Sequence, residues 1–428
     1  MALLARNSRA PEVRRRDLKH GLIPWFYRNA QAGGGFNADL EGNQNVLLDW
    51  IAKLCGPPGA EFRWYFTSGY RNEPGSYHGA GKAVDVATAY PSDWASMSEM
   101  ARRLYDHSDQ YLELIHTRSD GGGYYVKNKQ RVGPYAVAGH RDHIHLAANV
   151  SDIAAVAPEL RRRGVDYSWG RPDPHELRQA GYTFAVRYVT NSGTTGKELT
   201  AREADALKAA GLSIVVVYQT TADWAKGGYN AGRAAAENAL RFSRQAGSPQ
   251  DPFIYFAVDF DGHGSQVAST FDGIASVIGV GKTGVYGSYR VCEYLLGDNP
   301  SRKRFVAKAW QTRSWSAGSW DTRISMAQTD VDTVVNPIRF RGHAVDYNLS
   351  FGFDFGQWDA SSSSALSGPD WAYRFPVVRA DGQDYDNRTI AAWENAAYKK
   401  WHARNSHALA QQIADELEAI EAELRGDR

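Results

Sequence analysis

From Gly164 onward the chain alternates apolar runs of strand length with helical stretches, and this rhythm restricts its possible architectures more than any other feature. The runs are Val165 to Tyr167, Phe184 to Val189, Ile214 to Tyr218, Ile254 to Val258, Thr283 to Tyr286, Phe305 to Ala309, Ile324 to Ala327 and His343 to Tyr347, eight in all. Strands that are apolar throughout are buried on both faces, and strands separated by helices build parallel sheets. Eight of them predict a compact (β/α)8 barrel over residues 164–358. Such barrels usually take roughly 250 residues, so several helices here must be abbreviated. One helix opens at Thr200-Ala-Arg-Glu203 with a capping-box pattern, and another is expected over Tyr229 to Ala246.

In a barrel of this kind chemistry collects at the C-terminal ends of the strands. The polar residues there are Asp166, Arg187 with Tyr188, Gln219, Asp259 with Asp261, Gln328, and Asp346 with Asn348. Carboxylates on the first, fourth and eighth strands converge on one mouth, and a pair of acids is what glycoside hydrolysis uses. Any single aspartate at a strand end is more often a helix cap or a partner for loop amides.

A second constellation lies upstream. Ser68 to Arg71 runs into Ser76 to Asp85, and Gly139 to His145 follows some sixty residues later. His78 and Asp85 are separated by two glycines, so a loop can present His78 while Ala83 to Val86 runs as a strand that aims Asp85 at the same point. His143 and His145 share one face of a strand, with Ile144 and Leu146 turned to the core. Two imidazoles and a carboxylate are the three protein ligands of a catalytic zinc site that keeps one position open. Taken alone, His143-Ile-His145 is as well explained by surface histidines beside aspartates.

The two regions resemble two known families. Ser76-x-His-x-x-Gly-x-Ala-x-Asp85, preceded by Ser68-Gly-Tyr-Arg71 and followed by Asp142-x-x-His145, is similar to the D-Ala-D-Ala carboxypeptidase and endolysin-type peptidases. Their superfamily includes the lysostaphin-type and hedgehog-type folds. The resemblance implies an α+β zinc peptidase domain over residues 1–160, with Zn2+ on His78, Asp85 and His145. It also implies Asp142 as general base, Arg71 as oxyanion stabiliser and Ser76 at the substrate, with His143 the rival base. Asp142 stands where many members have Glu, and Ile144 where many have Trp, which favours the endopeptidases of phage endolysins.

The Gly164-Val-Asp-Tyr, Phe184 to Val189, Tyr255 to Asp261 and Ala344 to Asn348 segments resemble glycoside-hydrolase-like barrels of actinobacterial wall proteins, distantly related to the lysozymes of glycoside hydrolase family 25. That resemblance implies Asp166, Asp259 and Asp261 as catalytic acids, and Tyr188, Gln328 and Asp346 as substrate-binding groups. In those lysozymes the fourth strand ends in Asp-x-Glu, whereas here it reads Asp259-Phe-Asp261. Both outcomes, cutting the glycan and only binding it, stay open.

The remaining features bound these readings. Length alone, at 428 residues, suggests two or three domains, and 43% hydrophobic with 23% charged residues is ordinary for a globular protein. A net charge of +1 gives no global field for nucleic acid or a membrane surface. Cys55 and Cys292 form no spacing motif and exclude a disulfide scaffold or a cysteine zinc site. No signal peptide is visible at Met1 to Arg9, and no apolar run reaches the length of a membrane span. Residues 1–20 form a basic arm, Arg161 to Arg163 a solvated helix end, and Ala360 to Gly368 a flexible linker. Leu409, Ile413, Leu417, Ile420 and Leu424 mark an amphipathic helix in the 359–428 tail, which docks on the barrel or pairs with a second copy.

Together these point to a modular phage endolysin: made in the host cytoplasm, released through holin pores, and acting on peptidoglycan with no nucleic-acid partner and no membrane insertion. The alternative is a virion-associated or wall-binding structural protein with an inactive glycan-binding barrel.

Overall fold

The computed structural model describes residues 36–358, apart from the short stretches 38, 57–60, 72, 89–92, 136, 191–195, 298–302 and 332–337. The basic arm, the serine linker and the amphipathic tail helix lie outside the described residues.

After a two-residue strand β1 (Phe36–Asn37) comes helix α1 (Gln44–Cys55). Asn43 caps α1 by accepting the Val46 N–H at 3.3 Å, its apolar stripe of Val46, Leu47, Trp50 and Ile51 is buried, and Gly56 ends it at φ 78°. Strands β2 (Tyr65–Ser68) and β3 (Ala83–Ala87) follow, then helix α2 (Trp94–Tyr105), which buries Met97, Met100, Ala101 and Leu104 as its periodicity predicts. Strands β4 (Glu113–Thr117), β5 (Gly122–Lys127), β6 (Gln130–Tyr135) and β7 (Ile144–Ala147) complete a six-stranded sheet in the order β2-β3-β7-β4-β5-β6, antiparallel throughout. Its Val84, Val86, Leu114, Ile144 and Leu146 share one core with the two helices, so Asp85 and His145 project from the other face.

The short helix α3 (Val150–Val156) leads to strand β8 (Arg161–Asp166). Arg161 to Arg163 are therefore the start of a barrel strand and not the helix end expected from their charge. Their long stems pack: the Arg162 guanidinium lies 5.5 Å from the Phe355 ring centre and that of Arg163 lies 5.0 Å from Tyr182. The chain continues through α4 (Pro174–Gln179), β9 (Phe184–Tyr188), α5 (Ala201–Ala209), β10 (Ser213–Tyr218), α6 (Gly228–Gln245), β11 (Ile254–Ala257), α7 (Ala268–Ile278), β12 (Thr283–Gly287) and α8 (Tyr289–Leu296). It ends with β13 (Lys308–Thr312), β14 (Trp320–Asp321), β15 (Met326–Asp330), a ribbon of β16 (Arg339–Phe340) with β17 (His343–Ala344), and β18 (Asp346–Phe351).

Strands β8 to β13, then β15 and β18, close into an eight-stranded barrel. Neighbours are parallel from β8 round to β15, but β18 runs antiparallel to both β15 and β8. The expected class, a hedgehog/D-Ala-D-Ala peptidase-like α+β domain plus a (β/α)8 barrel, is thus corrected to a closed mixed barrel and a separate antiparallel sheet, with few helices. The reason lies in the last connections. A parallel strand needs a crossover back along the barrel. The chain instead passes from β15 through the β16–β17 ribbon and re-enters at the same end. Three expected strands also begin later than their apolar runs, at Lys308, Met326 and Asp346.

Between β13 and β15 no helix occurs among the described residues, and the amino-terminal segment docks there. β1 pairs with β14, Asn43 and Asn45 donate to the Ile324 and Arg323 carbonyls at 3.0 and 2.9 Å, and Gln44 donates to Thr322 Oγ1 at 3.0 Å. Asp49 accepts the Phe353 N–H at 2.8 Å, and a Cβ on Gly352 would stand 2.6 Å from its carboxylate.

Candidate functional site

Two polar centres emerge. In the amino-terminal sheet, β3 and β7 pair so that Asp85 lies directly opposite His145 on the face away from the core. His78 reaches the same point from the loop before β3. Ser76 shapes that loop by donating to the Glu73 carbonyl and accepting the Gly79 N–H, both at 2.9 Å. A Cβ on Gly79 would meet the Glu73 carbonyl oxygen at 2.0 Å, so only glycine fits. Ser76, expected at the substrate, has its hydroxyl committed to this turn.

His78 Nε2, Asp85 Oδ1 and His145 Nδ1 form a triangle with sides of 3.2, 3.1 and 2.9 Å, and all three residues are buried. Those sides approach the edge of a tetrahedron, about 3.3 Å, whose corners lie at zinc–nitrogen distance from its centre. Of the outward ring nitrogens, one is held by a hydrogen bond and the other faces a carboxylate. His78 Nδ1 donates to the Gly69 carbonyl at 2.7 Å, which fixes the ring and turns Nε2 towards its neighbours. His145 Nε2 is buried with Glu113 Oε2 3.4 Å away.

The electrostatics are those of a buried carboxylate set among imidazoles. Burial alone would raise the Asp85 carboxyl, yet the charges of His78 and His143 and hydrogen bonds from His145 and His78 hold it well below the usual range. Burial opposes protonation of His145, but Asp85 and Glu113 together push it up to about 9. A proton on His145 therefore balances the buried Asp85 charge. The donor set and its orientation fit zinc.

Beside the three ligand groups, Arg71 Nη2 lies 3.5 Å from Asp85 Oδ2. Asp142 does not act alone: its Oδ1 is 3.0 Å from His143 Nδ1, while His143 Nε2 lies 4.0 Å from Asp85 Oδ1. The His143 hydrogen bond holds the Asp142 carboxyl below its usual range despite partial burial. The two rival bases are thus one dyad, imidazole foremost. Beneath them, buried His116 faces the His143 carbonyl oxygen at 3.1 Å and Ser98 Oγ at 3.0 Å, and burial lowers it to about 4.

The second centre is the barrel mouth, at the C-terminal ends of the parallel strands and the start of β18. Gln328 is its hub. The Gln328 carbonyl oxygen accepts from Tyr286 at 2.9 Å and Thr312 at 2.8 Å, which fixes its amide nitrogen towards Asp166 at 2.9 Å and Asp346 at 3.0 Å. Asn348, held by the Trp310 indole at 2.9 Å, donates to the same Asp166 oxygen at 2.8 Å. Burial raises the Asp166 carboxyl to about 6, against the hydrogen bonds of Asn348 and Gln328, and Asp259 adds to the rise. Asp259 accepts from Gln219 at 2.8 Å, Gln219 meets Lys197 at 3.4 Å, and Lys197 lies 4.0 Å over the Tyr188 ring and 5.8 Å from that of exposed Trp169. Asp261, the expected third acid, is exposed and paired with Arg290, outside this network. Buried Arg187 is taken up by Glu203 and has a structural role.

Sequence reasoning missed Glu113, Trp310, Tyr286, Thr312 and Lys197. Only Glu113 carried a visible signal, a lone acid inside the apolar run Tyr111 to Ile115.

Residues 175–349 match the family of Rv2525c-like, glycoside hydrolase-like domains. The chain is 28% identical to the putative peptidoglycan hydrolase Rv2525c of Mycobacterium tuberculosis over 243 residues, 51% of this chain and 98% of the relative. The crystal structure of that Tat-secreted protein with L-tartrate covers 46% of this chain and 98% of its own, at 28% identity and a TM-score of 0.41. A family 25 glycosyl hydrolase from Bacillus anthracis covers 45% of this chain and 89% of its own, at 13% identity and a TM-score of 0.31. The expectation of a product without a signal peptide, freed through holin pores, is corrected by a relative that is Tat-secreted. Residues 175–349 thus match the Rv2525c-like, glycoside hydrolase-like domain, in a chain similar to a putative peptidoglycan hydrolase.

Proposed function

We propose that the protein degrades peptidoglycan, hydrolysing a stem-peptide amide at His78, Asp85 and His145 with zinc and engaging the glycan at the barrel mouth. The observation that carries the peptidase half is the triangle of three ligand atoms with both outward ring nitrogens facing oxygen partners. When bound, zinc supplies Lewis acidity, polarising a carbonyl and acidifying a water near neutral pH. The chain's own groups do the rest. His143, oriented by Asp142, accepts the water proton at Nε2 and returns it to the leaving amine. Arg71, always charged, holds the negative charge that develops on the scissile carbonyl oxygen.

At the mouth, Asp166 and Asp346 each accept one N–H of a single Gln328 amide, which holds side by side a pair of carboxylates such as glycosidases use. The raised Asp166 supports a role as proton donor to a glycosidic oxygen. A second reading, in which the barrel only binds glycan, is favoured by the Asp261–Arg290 pair, which draws the expected acid out to the surface.

Digestion of purified peptidoglycan with and without a zinc chelator tests both halves. New amino groups that vanish with chelator, and reducing ends that persist, are the expected result. Amino groups unaffected by chelator would remove the zinc reading. Absence of reducing ends would leave the barrel as a binding module, and absence of both products would make the chain a wall-binding protein.

A further inference from the structure

We infer that Glu113 is a positioning residue for the metal site, holding the His145 ring so that Nδ1 faces the other two ligands. This rests on the zinc reading above. β7 lies between β3 and β4, with His145 opposite Asp85 on one side and Ile115 on the other. Glu113, two residues from Ile115 on the same face and opposite Ala147, is the diagonal neighbour of His145. A long side chain spans that diagonal. Its Oε2 arrives 3.4 Å from His145 Nε2, and the Glu113 side chain is only 18% exposed.

Each nitrogen of the His145 ring thus faces a carboxylate, Asp85 in front at 2.9 Å and Glu113 behind. If Nδ1 ligates a metal, the hydrogen of the neutral ring sits on Nε2. Among the described residues that buried nitrogen makes no hydrogen bond, and Glu113 Oε2 at 3.4 Å is the carboxylate that faces it. The carboxylate then fixes the tautomer, stops the ring from flipping, and makes Nδ1 a more basic ligand. The competing explanation is a cross-strand ion pair, because Glu113 lies opposite Lys127 in the β4–β5 register. Substituting each partner separates the two.

The test measures zinc affinity of the full chain by competition with a chromogenic chelator, beside metal-free thermal melts. Glu113→Ala is expected to weaken zinc binding about 10- to 100-fold, with the metal-free melting temperature little changed. Glu113→Gln, whose amide oxygen still accepts the N–H but carries no charge, is expected to be intermediate, and Lys127→Gln to bind as the parent does. Parental zinc affinity in Glu113→Ala overturns the inference. If Glu113→Ala fails to fold, parental affinity in Glu113→Gln overturns it equally, and so does an equal loss in Lys127→Gln. A parent chain that takes up no zinc overturns the metal reading itself.

Discussion

Asp49 joins the two parts of the molecule, and its substitution by asparagine tests how. The carboxylate is buried on α1 and accepts the Phe353 N–H at 2.8 Å, just after β18. Burial raises it to about 7, well above the ordinary carboxylate range, opposed by that hydrogen bond and by Lys308, with Asp354 adding to the rise. The sign follows from proton binding. Below about pH 4 the group is neutral folded and unfolded, and it has no effect on stability. Between there and about pH 7 the unfolded chain releases a proton that the folded chain keeps, so stability falls with each pH unit. Above pH 7 the accumulated loss is constant, about 4 kcal/mol as a ceiling at 1.36 kcal/mol per unit. Asparagine keeps an oxygen for the Phe353 N–H and removes the ionisation. Asp49→Asn should therefore match the parent near pH 4 and exceed it by on the order of 2–4 kcal/mol at pH 8. Urea unfolding of parent and variant at both pH values measures the difference while other titrations cancel. A variant no more stable than the parent at pH 8 would refute the buried-carboxylate argument. A gain of equal size at both pH values would show that ionisation is not its source.

Other expectations concern the two centres. If Asp142 works through His143, Asp142→Asn and His143→Ala should each lower amide release by about 10²–10⁴-fold, and the double variant little further; multiplied losses in the double variant would show separate roles. Asp166→Asn should abolish reducing-end release while leaving sedimentation with insoluble peptidoglycan intact, and full release would remove it as the acid. Trp169→Ala should weaken that sedimentation by about 0.5–1.5 kcal/mol, the worth of one aromatic contact. Unchanged binding would exclude Trp169 from the glycan path.

What was legible in the chain follows from how local each signal is. Asp85 and His145 could be placed together because each lies on a short strand whose alternating neighbours, Val84 with Val86 and Ile144 with Leu146, fix which face is polar. Glu113 sits just as close to His145, but only the β4–β7 register brings it there, and no pattern within one strand encodes a register. The barrel strands β9 to β12 were legible as apolar runs. The direction of β18 had a local trace that the (β/α)8 reading passed over: Asp346-Tyr-Asn-Leu-Ser-Phe351 alternates, unlike Ile214-Val-Val-Val-Tyr218, and alternation marks an antiparallel strand. Arg161 to Arg163 misled by charge, because their aromatic partners Phe355 and Tyr182 lie far along the chain.

The reversal of β18 also has a functional consequence. Because it runs against its neighbours, its first residues, Asp346 and Asn348, stand at the mouth beside Asp166, while its far end leads into Gly352 and Phe353. That far end is where α1 grips the barrel through Asp49, and Asn43 and Asn45 bind the segment entering β15 at the same end. Helix α1 and the residues before it are therefore anchored at the end opposite the mouth. A parallel eighth strand would have carried Asp346 and Asn348 to that lower end and left Gln328 without its second acid. The pairing of two carboxylates on one glutamine amide depends on the one strand that breaks the barrel's parallel order.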